Sequence, residues 1–270
     1  MNQTIPTMCW SVAAKPSALG VRMHDAGFHA AKLDYKYIAI GSNEIDKVIS
    51  AMRTLNVRGL GISMPHKQKV INLLEELDTS VESIGACNTV VNNENTLKGY
   101  NTDWIGAYRA LYESKIKDYK TVLIVGSGGV ARAFAYMLTK TSDDMDVSIA
   151  ARNECARKKI ASDFNIDHQF DLDHMPQTDL IINATPVSNL ISDSMISNAS
   201  GIFDVDFTSR NTELTMRADR IGIDSIAGWR MLLHQGAAQF ELYTNQTAPL
   251  AAMESVLEQA LPDTPKQLIA

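Results

Sequence analysis

Two short runs place groups that could move a proton. Gly61-Ile-Ser-Met-Pro-His-Lys67 ends on a lysine just past an apolar, strand-like stretch, and Gly99-Tyr-Asn-Thr-Asp103 ends on an acid where a loop passes into a helix. A lysine in the first turn of a helix faces the positive pole of the macrodipole, which favours loss of its proton. A carboxylate close to it would hold the ammonium and oppose that effect, so spacing alone leaves the balance open. As a pair they suit proton transfer. Singly, each has a plainer explanation that is the better one in isolation: Lys67 as a solvated surface lysine, Asp103 as a helix N-cap. Between them, Gly85-Ala-Cys-Asn-Thr-Val90 sets the Asn88 amide in a strand-like stretch, where it either binds a hydroxylated ligand or closes a turn.

A third run is of a different kind. Thr121-Val-Leu-Ile-Val125 followed by Gly126-Ser-Gly-Gly-Val-Ala131 reads as strand, tight turn and helix, with small residues where a backbone must approach a pyrophosphate. The next strand ends Ala150-Ala151-Arg152-Asn153, where an NAD-binding chain would usually carry an acid for the ribose hydroxyls. A guanidinium there suits a 2′-phosphate, because its paired donors are planar and permanently charged. NADP is therefore the expected cofactor. Glu154 lies past the strand end, and Arg157, Lys158 and Lys159 read as a solvated helix face.

These runs need elements to position them. Tyr35–Ile40 and Val57–Ile62 read as strands, Leu19–Gly27 and Asn43–Leu55 as helices, and Pro65–Leu77 as a further helix opened by its proline. Beyond them, Thr102–Tyr112 is helical in pattern and precedes the strand at Thr121–Val125. A helix near Val130–Thr139 follows, then strands at Val147–Ala151, Leu180–Asn183 and Ile202–Phe207, and helices from Gly228 past Tyr243 and over Leu250–Leu261. Alternating strands and helices predict an α/β protein. A glycine-loop unit inside a chain that opens with its own strands predicts an inserted Rossmann-type domain over 103–231. A discontinuous substrate domain would comprise 1–102 plus 232–270.

Composition narrows the function classes. With 45% hydrophobic and 21% charged residues the chain can build an ordinary core, and a net charge of −6 offers no footprint for nucleic acid or an anionic membrane. Cys9, Cys87 and Cys155 are odd in number and widely spaced, so neither a disulfide framework nor a metal site is expected. The first ten residues lack a basic start and an apolar stretch, and no apolar run approaches the length of a membrane span. A cytoplasmic enzyme acting on a small molecule as a monomer or homodimer is the expectation.

In this order, SMPHK, GACNTV, YNTD, GSGGVA, AARN, NATP and GWRMLLHQGAAQFELY resemble the motif series of the shikimate dehydrogenase family, over a span from about Cys9 to Leu250. The resemblance implies reversible oxidation of shikimate to 3-dehydroshikimate with hydride passing to NADP, a step of the shikimate pathway of aromatic amino acid biosynthesis. It implies Lys67 and Asp103 as the catalytic pair, and Ser11, Ser63, Asn88, Asp103 and Gln235 as substrate contacts. For the cofactor it implies Gly126, Ser127, Gly128, Gly129, Val130, Ala131, Arg152, Asn153, Thr185, Val205 and Gly228. Two positions depart from the family pattern. The Ser-x-Ser pair that holds the substrate carboxylate is here Ser11-Val-Ala13, and a tyrosine near the substrate is Phe207. CWSVAAKPSALG and FELYTNQ are similar to a branch called shikimate dehydrogenase-like proteins. The departures keep open a quinate or other cyclic hydroxy-acid dehydrogenase on the same scaffold. A non-catalytic NADP-binding regulator is the reading of a different class, disfavoured by the presence of both Lys67 and Asp103.

Overall fold

The computed structural model describes residues 5–141 and 144–265. The described residues divide into two units, one holding residues 5–103 together with Leu233–Ala260, the other Trp104–Leu232 together with residues 261–265. Along the first part run β1 (Thr7–Ala13), α1 (Ala18–Ala30), β2 (Tyr35–Gly41), α2 (Ile45–Thr54), β3 (Gly59–Ile62), β4 (Glu76–Leu77), α3 (Thr79–Ile84), β5 (Thr89–Asn93) and β6 (Thr96–Tyr100). Then come α4 (Asp103–Glu113), β7 (Thr121–Val125), α5 (Gly129–Thr141), β8 (Asp146–Ala150), α6 (Glu154–Asp163), β9 (His168–Phe170) and β10 (Leu180–Asn183). The remainder is α7 (Asp193–Ser197), β11 (Gly201–Asp204), α8 (Glu213–Arg220), β12 (Asp224–Ala227), α9 (Gly228–Thr244) and α10 (Leu250–Ala260).

In the first unit the sheet order is β2-β1-β3-β5-β6-β4, with β2, β1 and β3 parallel and β5 antiparallel to both β3 and β6. The apolar positions of α2, Ile45, Val48, Ile49 and Met52, recur at helical spacing, and all four are buried in one cluster with Val12, Leu60, Ile62 and Val90 of the strands. Glu94 and Asn95, both at positive φ, join β5 to β6. That is the backbone a two-residue hairpin loop requires, and asparagine tolerates it better than most residues.

The helix expected over Pro65–Leu77 is not formed. A 3-10 turn covers Lys69–Leu73, and the chain then straightens into β4 beside β6. Tertiary bonds outweigh the helical pattern here. Glu75 N donates to Leu97 O and its carboxylate accepts from Leu97 N, while Arg53 donates to Leu73 O and to the Glu75 carboxylate. β1 has no counterpart among the predicted strands, although Cys9, Trp10, Val12 and Ala13 are buried in it.

The second unit carries a wholly parallel sheet in the order β12-β11-β10-β7-β8-β9. Counted from β7 this is the doubly wound order 3-2-1-4-5-6, in which the order reverses at β7. The predicted strand over Ile202–Phe207 ends at Asp204, whose carboxylate accepts from Asn183 Nδ2 at 3.0 Å and Thr212 Oγ1 at 2.6 Å and so turns the chain out of the sheet. The end of the chain also departs from the expected 232–270 segment. Arg210 N donates to Pro262 O, Asn211 N donates to Asp263 O, and Arg210 pairs with Asp263, so residues 261–265 go with the second unit.

Buried His24 yields a test of the first unit's core. Its ring stacks on Tyr37 at 4.1 Å, Nδ1 donates to Gly20 O, and Nε2 has no hydrogen-bond partner among the described residues. Desolvation outweighs the bond to Gly20 and lowers its pKa from 6.5 to about 4. Between those values the unfolded chain takes up a proton that the folded chain refuses. Stability is therefore full above about pH 6.5 and falls as pH drops toward about 4. Between pH 7 and pH 5 the unmodified protein should lose about 2 kcal/mol more unfolding free energy than His24→Phe. Equal losses in urea titrations of the two proteins would refute a neutral His24.

Candidate active site

Lys67 Nζ donates to Asp103 Oδ2 at 2.6 Å, although the two residues are 36 apart in the chain. Asp103 is the first residue of α4 and is buried; Lys67 keeps partial exposure, so the pair has one wet end. Lys67 does not occupy the first turn of an α-helix. It sits in a turn ahead of the 3-10 segment, with its carbonyl accepting from Cys87 N, so the helix dipole anticipated for it is absent. Its position is held instead by the carboxylate and by that backbone bond.

Asn88 organises the other side of the acid. Its Nδ2 donates to Asp103 Oδ1 at 2.8 Å and to Thr102 Oγ1 at 2.9 Å, while its Oδ1 accepts from Thr102 N and Thr89 Oγ1. Gln235 Oε1, on α9, lies 3.4 Å from Asn88 Nδ2. Asp103 thus offers one oxygen to a lysine and the other to a buried amide, which fixes the carboxylate plane. Thr102 and Gln239 belong to the same network without having been singled out from sequence. Gln239 Nε2 donates to Asn88 O and Thr89 Oγ1. Thr102 stood in the YNTD run and Gln239 in the GWRMLLHQGAAQFELY run, four residues after Gln235. Beside the pair, burial pushes the Cys87 thiol up to about 12, and the thiol donates to Thr89 O. It is therefore a packing group rather than a nucleophile.

Ser11 and Ser63 come from the carboxyl ends of parallel neighbours. Ser11 faces Gly61 in the β1–β3 register, and Ser63 N donates to Val12 O just past β3. His66 Nε2 donates to Ser42 O, and Ser42 N donates to Ala13 O, so the loops after β1, β2 and β3 are tied together. Ala13 is buried beside Gly41 with no hydroxyl to offer, and the Ser17 side chain accepts from Leu19 N as the cap of α1.

The glycine run forms the turn between β7 and α5 in the second unit. Gly126 has φ 125° and N bonded to Ala150 O; a Cβ there would come within 2.9 Å of Ala184 O, so only glycine fits. At Gly128 and Gly129 a Cβ would meet no atom of the described residues within 4 Å, so packing does not demand glycine there. A pyrophosphate approaching the first turn of α5 would meet bare backbone at both positions, and Ser127 and Val130 belong to the same turn. Ala131 is fully buried at the third small position. Thr185, Val205 and Gly228 follow β10, β11 and β12. Thr185 is held by Asn183, Val205 N donates to Asn183 O, and a Cβ on Gly228 would meet Val205 O at 2.2 Å.

Past β8, Arg152 is exposed, and Asn153 caps α6 by accepting from Ala156 N. Of the basic residues that follow, Arg157 is no solvated side chain. It donates to Ala151 O and Phe170 O and fastens the loop. Glu154 is paired with Lys158 at 2.6 Å. Phe207 is exposed beyond β11. Among the described residues no group of three or more His, Cys, Asp or Glu is arranged to hold a metal, and no helix is long and apolar enough to cross a membrane.

Known proteins resemble the chain along nearly all of its length. Residues 16–90 match the shikimate dehydrogenase substrate binding domain, and residues 228–258 match the shikimate 5′-dehydrogenase C-terminal domain. The shikimate dehydrogenase (NADP(+)) of Dehalococcoides mccartyi is 32% identical over 98% of this chain and 100% of its own length. A shikimate dehydrogenase solved with NADP+ superposes with a TM-score of 0.85 at 28% identity, covering 96% of each chain. Shikimate 5-dehydrogenase from Listeria monocytogenes, solved with shikimate and NAD, gives 0.82 at 29% identity over 93% of this chain and 96% of that one. With a relative of this identity matched along its whole length, the chain belongs to the shikimate dehydrogenase family.

Proposed function

We propose that the protein is an NADP-dependent oxidoreductase that interconverts shikimate and 3-dehydroshikimate, working in the cytoplasm as a monomer or homodimer. The observation that carries this reading is the Lys67–Asp103 contact at 2.6 Å, with Asn88 on the second carboxylate oxygen. Bound NADP supplies the hydride acceptor. The Lys67 amine takes the proton of the reacting hydroxyl, and Asp103 stabilises the ammonium that results. Ser63, Asn88 and Gln235 provide donors and acceptors for the ring hydroxyls, and Ser11 donates to the carboxylate. Adding shikimate to protein and NADP should raise the absorbance of NADPH and yield 3-dehydroshikimate. No reduction of NADP by shikimate would defeat the reading. Turnover of quinate in its place would favour the second reading, another cyclic hydroxy acid, which the missing hydroxyl at Ala13 supports.

The choice of NADP rests on Arg152, exposed at the end of β8, with the nearby acid Glu154 engaged by Lys158. Arg152→Asp should weaken NADP by about 1.5–3 kcal/mol, or about 10–150-fold in dissociation constant, while sparing NAD. Equal affinity of the unmodified protein for both nucleotides would contradict this assignment.

A further inference from the structure

Behind Ser11 lies a buried layer with no part in the chemistry so far described. In the parallel register Cys9 faces Tyr37 and Ser11 faces Ala39 on one side, and Ser11 faces Gly61 on the other. Side chains two apart on a strand share a face, so Tyr37, Cys9, Ser11, Gly59 and Gly61 point the same way. Gly59 and Gly61 leave the middle of that face without side chains, and two phenols occupy the space. A Cβ on Gly59 would come within 2.3 Å of the Tyr243 ring, and one on Gly61 within 2.6 Å of the Tyr37 hydroxyl. Tyr37 is fixed from two sides, since its ring stacks on His24 within 9° of parallel and its N donates to Asp25 Oδ1, and its hydroxyl lies in the space over Gly61, the register neighbour of Ser11.

We infer that Tyr37 is a positioning residue that orients the Ser11 hydroxyl toward the substrate carboxylate. The inference rests on the proposed role of Ser11. Each hydroxyl in this layer has one proton to give, so the direction of donation follows from the far end. The Tyr243 hydroxyl is buried without a hydrogen-bond partner among the described residues, and its ring fills the space over Gly59 next to the Tyr37 hydroxyl over Gly61. In the proposed arrangement its proton points toward the Tyr37 oxygen, the Tyr37 proton toward Ser11 Oγ, and the Ser11 proton outward. Burial pushes the Tyr37 phenol up, which keeps it a neutral donor. A serine whose oxygen is already engaged loses less rotational freedom when it binds an anion. Where Ala13 has no hydroxyl, that preorganisation matters more.

The test is a double-mutant cycle in the full-length enzyme, read as KM and kcat for shikimate and for its methyl ester, which lacks the carboxylate. Ser11→Ala should raise the shikimate KM about 10-fold or more, and Tyr37→Phe about 3–10-fold. For Tyr37→Phe, turnover and NADP affinity should hold within about two-fold, the pattern of lost uniform binding. In the Ser11→Ala background Tyr37→Phe should add nothing, and the methyl ester should be indifferent to Tyr37→Phe. An unchanged KM in Ser11→Ala would overturn the role of Ser11 itself. A raised KM in Ser11→Ala with no effect of Tyr37→Phe, or with the same effect in both backgrounds or on the ester, would overturn the positioning role and leave Ser11 standing. If Tyr37→Phe does not fold, Tyr243→Phe carries the test, because it removes the proton at the start of the chain and keeps the ring. Its KM for shikimate should rise by about two-fold or more in the Ser11 background only, and an unchanged value there overturns the inference.

Discussion

Lys67→Met should lower the turnover number by about 10²–10⁴, the loss expected when a general acid-base group is removed, with NADP affinity nearly unchanged. The substitution keeps an unbranched side chain as far as the ε position and removes the terminal Nζ that donates to Asp103 Oδ2. It also leaves that oxygen without its cation, but Asp103 retains the Asn88 bond on the other oxygen, so the fold should survive. Stopped-flow reduction of NADP under single turnover separates the cases. A slow chemical step with normal nucleotide binding supports proton handling by Lys67, whereas chemistry within a few-fold of the unmodified rate would remove Lys67 from the mechanism.

Asn88→Ala should be more damaging than its neutral chemistry suggests. Asn88 is 2% exposed and satisfies groups on three neighbours: Asp103 Oδ1, the Thr102 amide and the Thr89 hydroxyl. Truncation leaves an amide N–H and a carboxylate oxygen buried without their partner, and a stranded buried group costs about 1–3 kcal/mol, more when it is charged. A loss of about 2–4 kcal/mol in unfolding free energy is expected, together with a fall in turnover as the Asp103 plane is freed. Urea unfolding followed by tryptophan fluorescence measures the first. A change below about 0.5 kcal/mol would mean that solvent reaches this network and that its geometry matters less.

Local order was the part of the fold most open to sequence reading. The turn from β7 into α5 is written in adjacent residues, an apolar β-branched run followed at once by glycines, so strand, turn and helix were each predictable. The segment after Pro65 misleads for a physical reason. Val70, Ile71, Leu73, Leu74 and Leu77 have helical spacing, but Glu75 is fixed by Leu97, more than twenty residues on, and no local pattern reports that bond. The β5–β6 hairpin had a usable signal in Asn93-Glu-Asn95, because asparagine accepts positive φ between two apolar strands.

The site divides along the same line. Lys67, Asn88 and Asp103 each stand in a short motif, so each could be named, but nothing in their spacing says that they touch. Motif resemblance had to supply the grouping. Tyr37 stands in the middle of a strand with ordinary surroundings, and the reason for it is visible only once Gly61 is seen to open the space that its hydroxyl occupies; Gln239 stood inside a motif that gave it no role. The macrodipole argument for Lys67 failed because it depended on a helix that tertiary pairing prevents.

Shikimate labelled with deuterium on the carbon that bears the 3-hydroxyl provides the most direct test. If this chain oxidises that carbon by hydride transfer, the label should appear on the reduced nicotinamide, one deuterium for each 3-dehydroshikimate formed. Label lost to water, or retained in the product while NADP stays oxidised, would contradict the account.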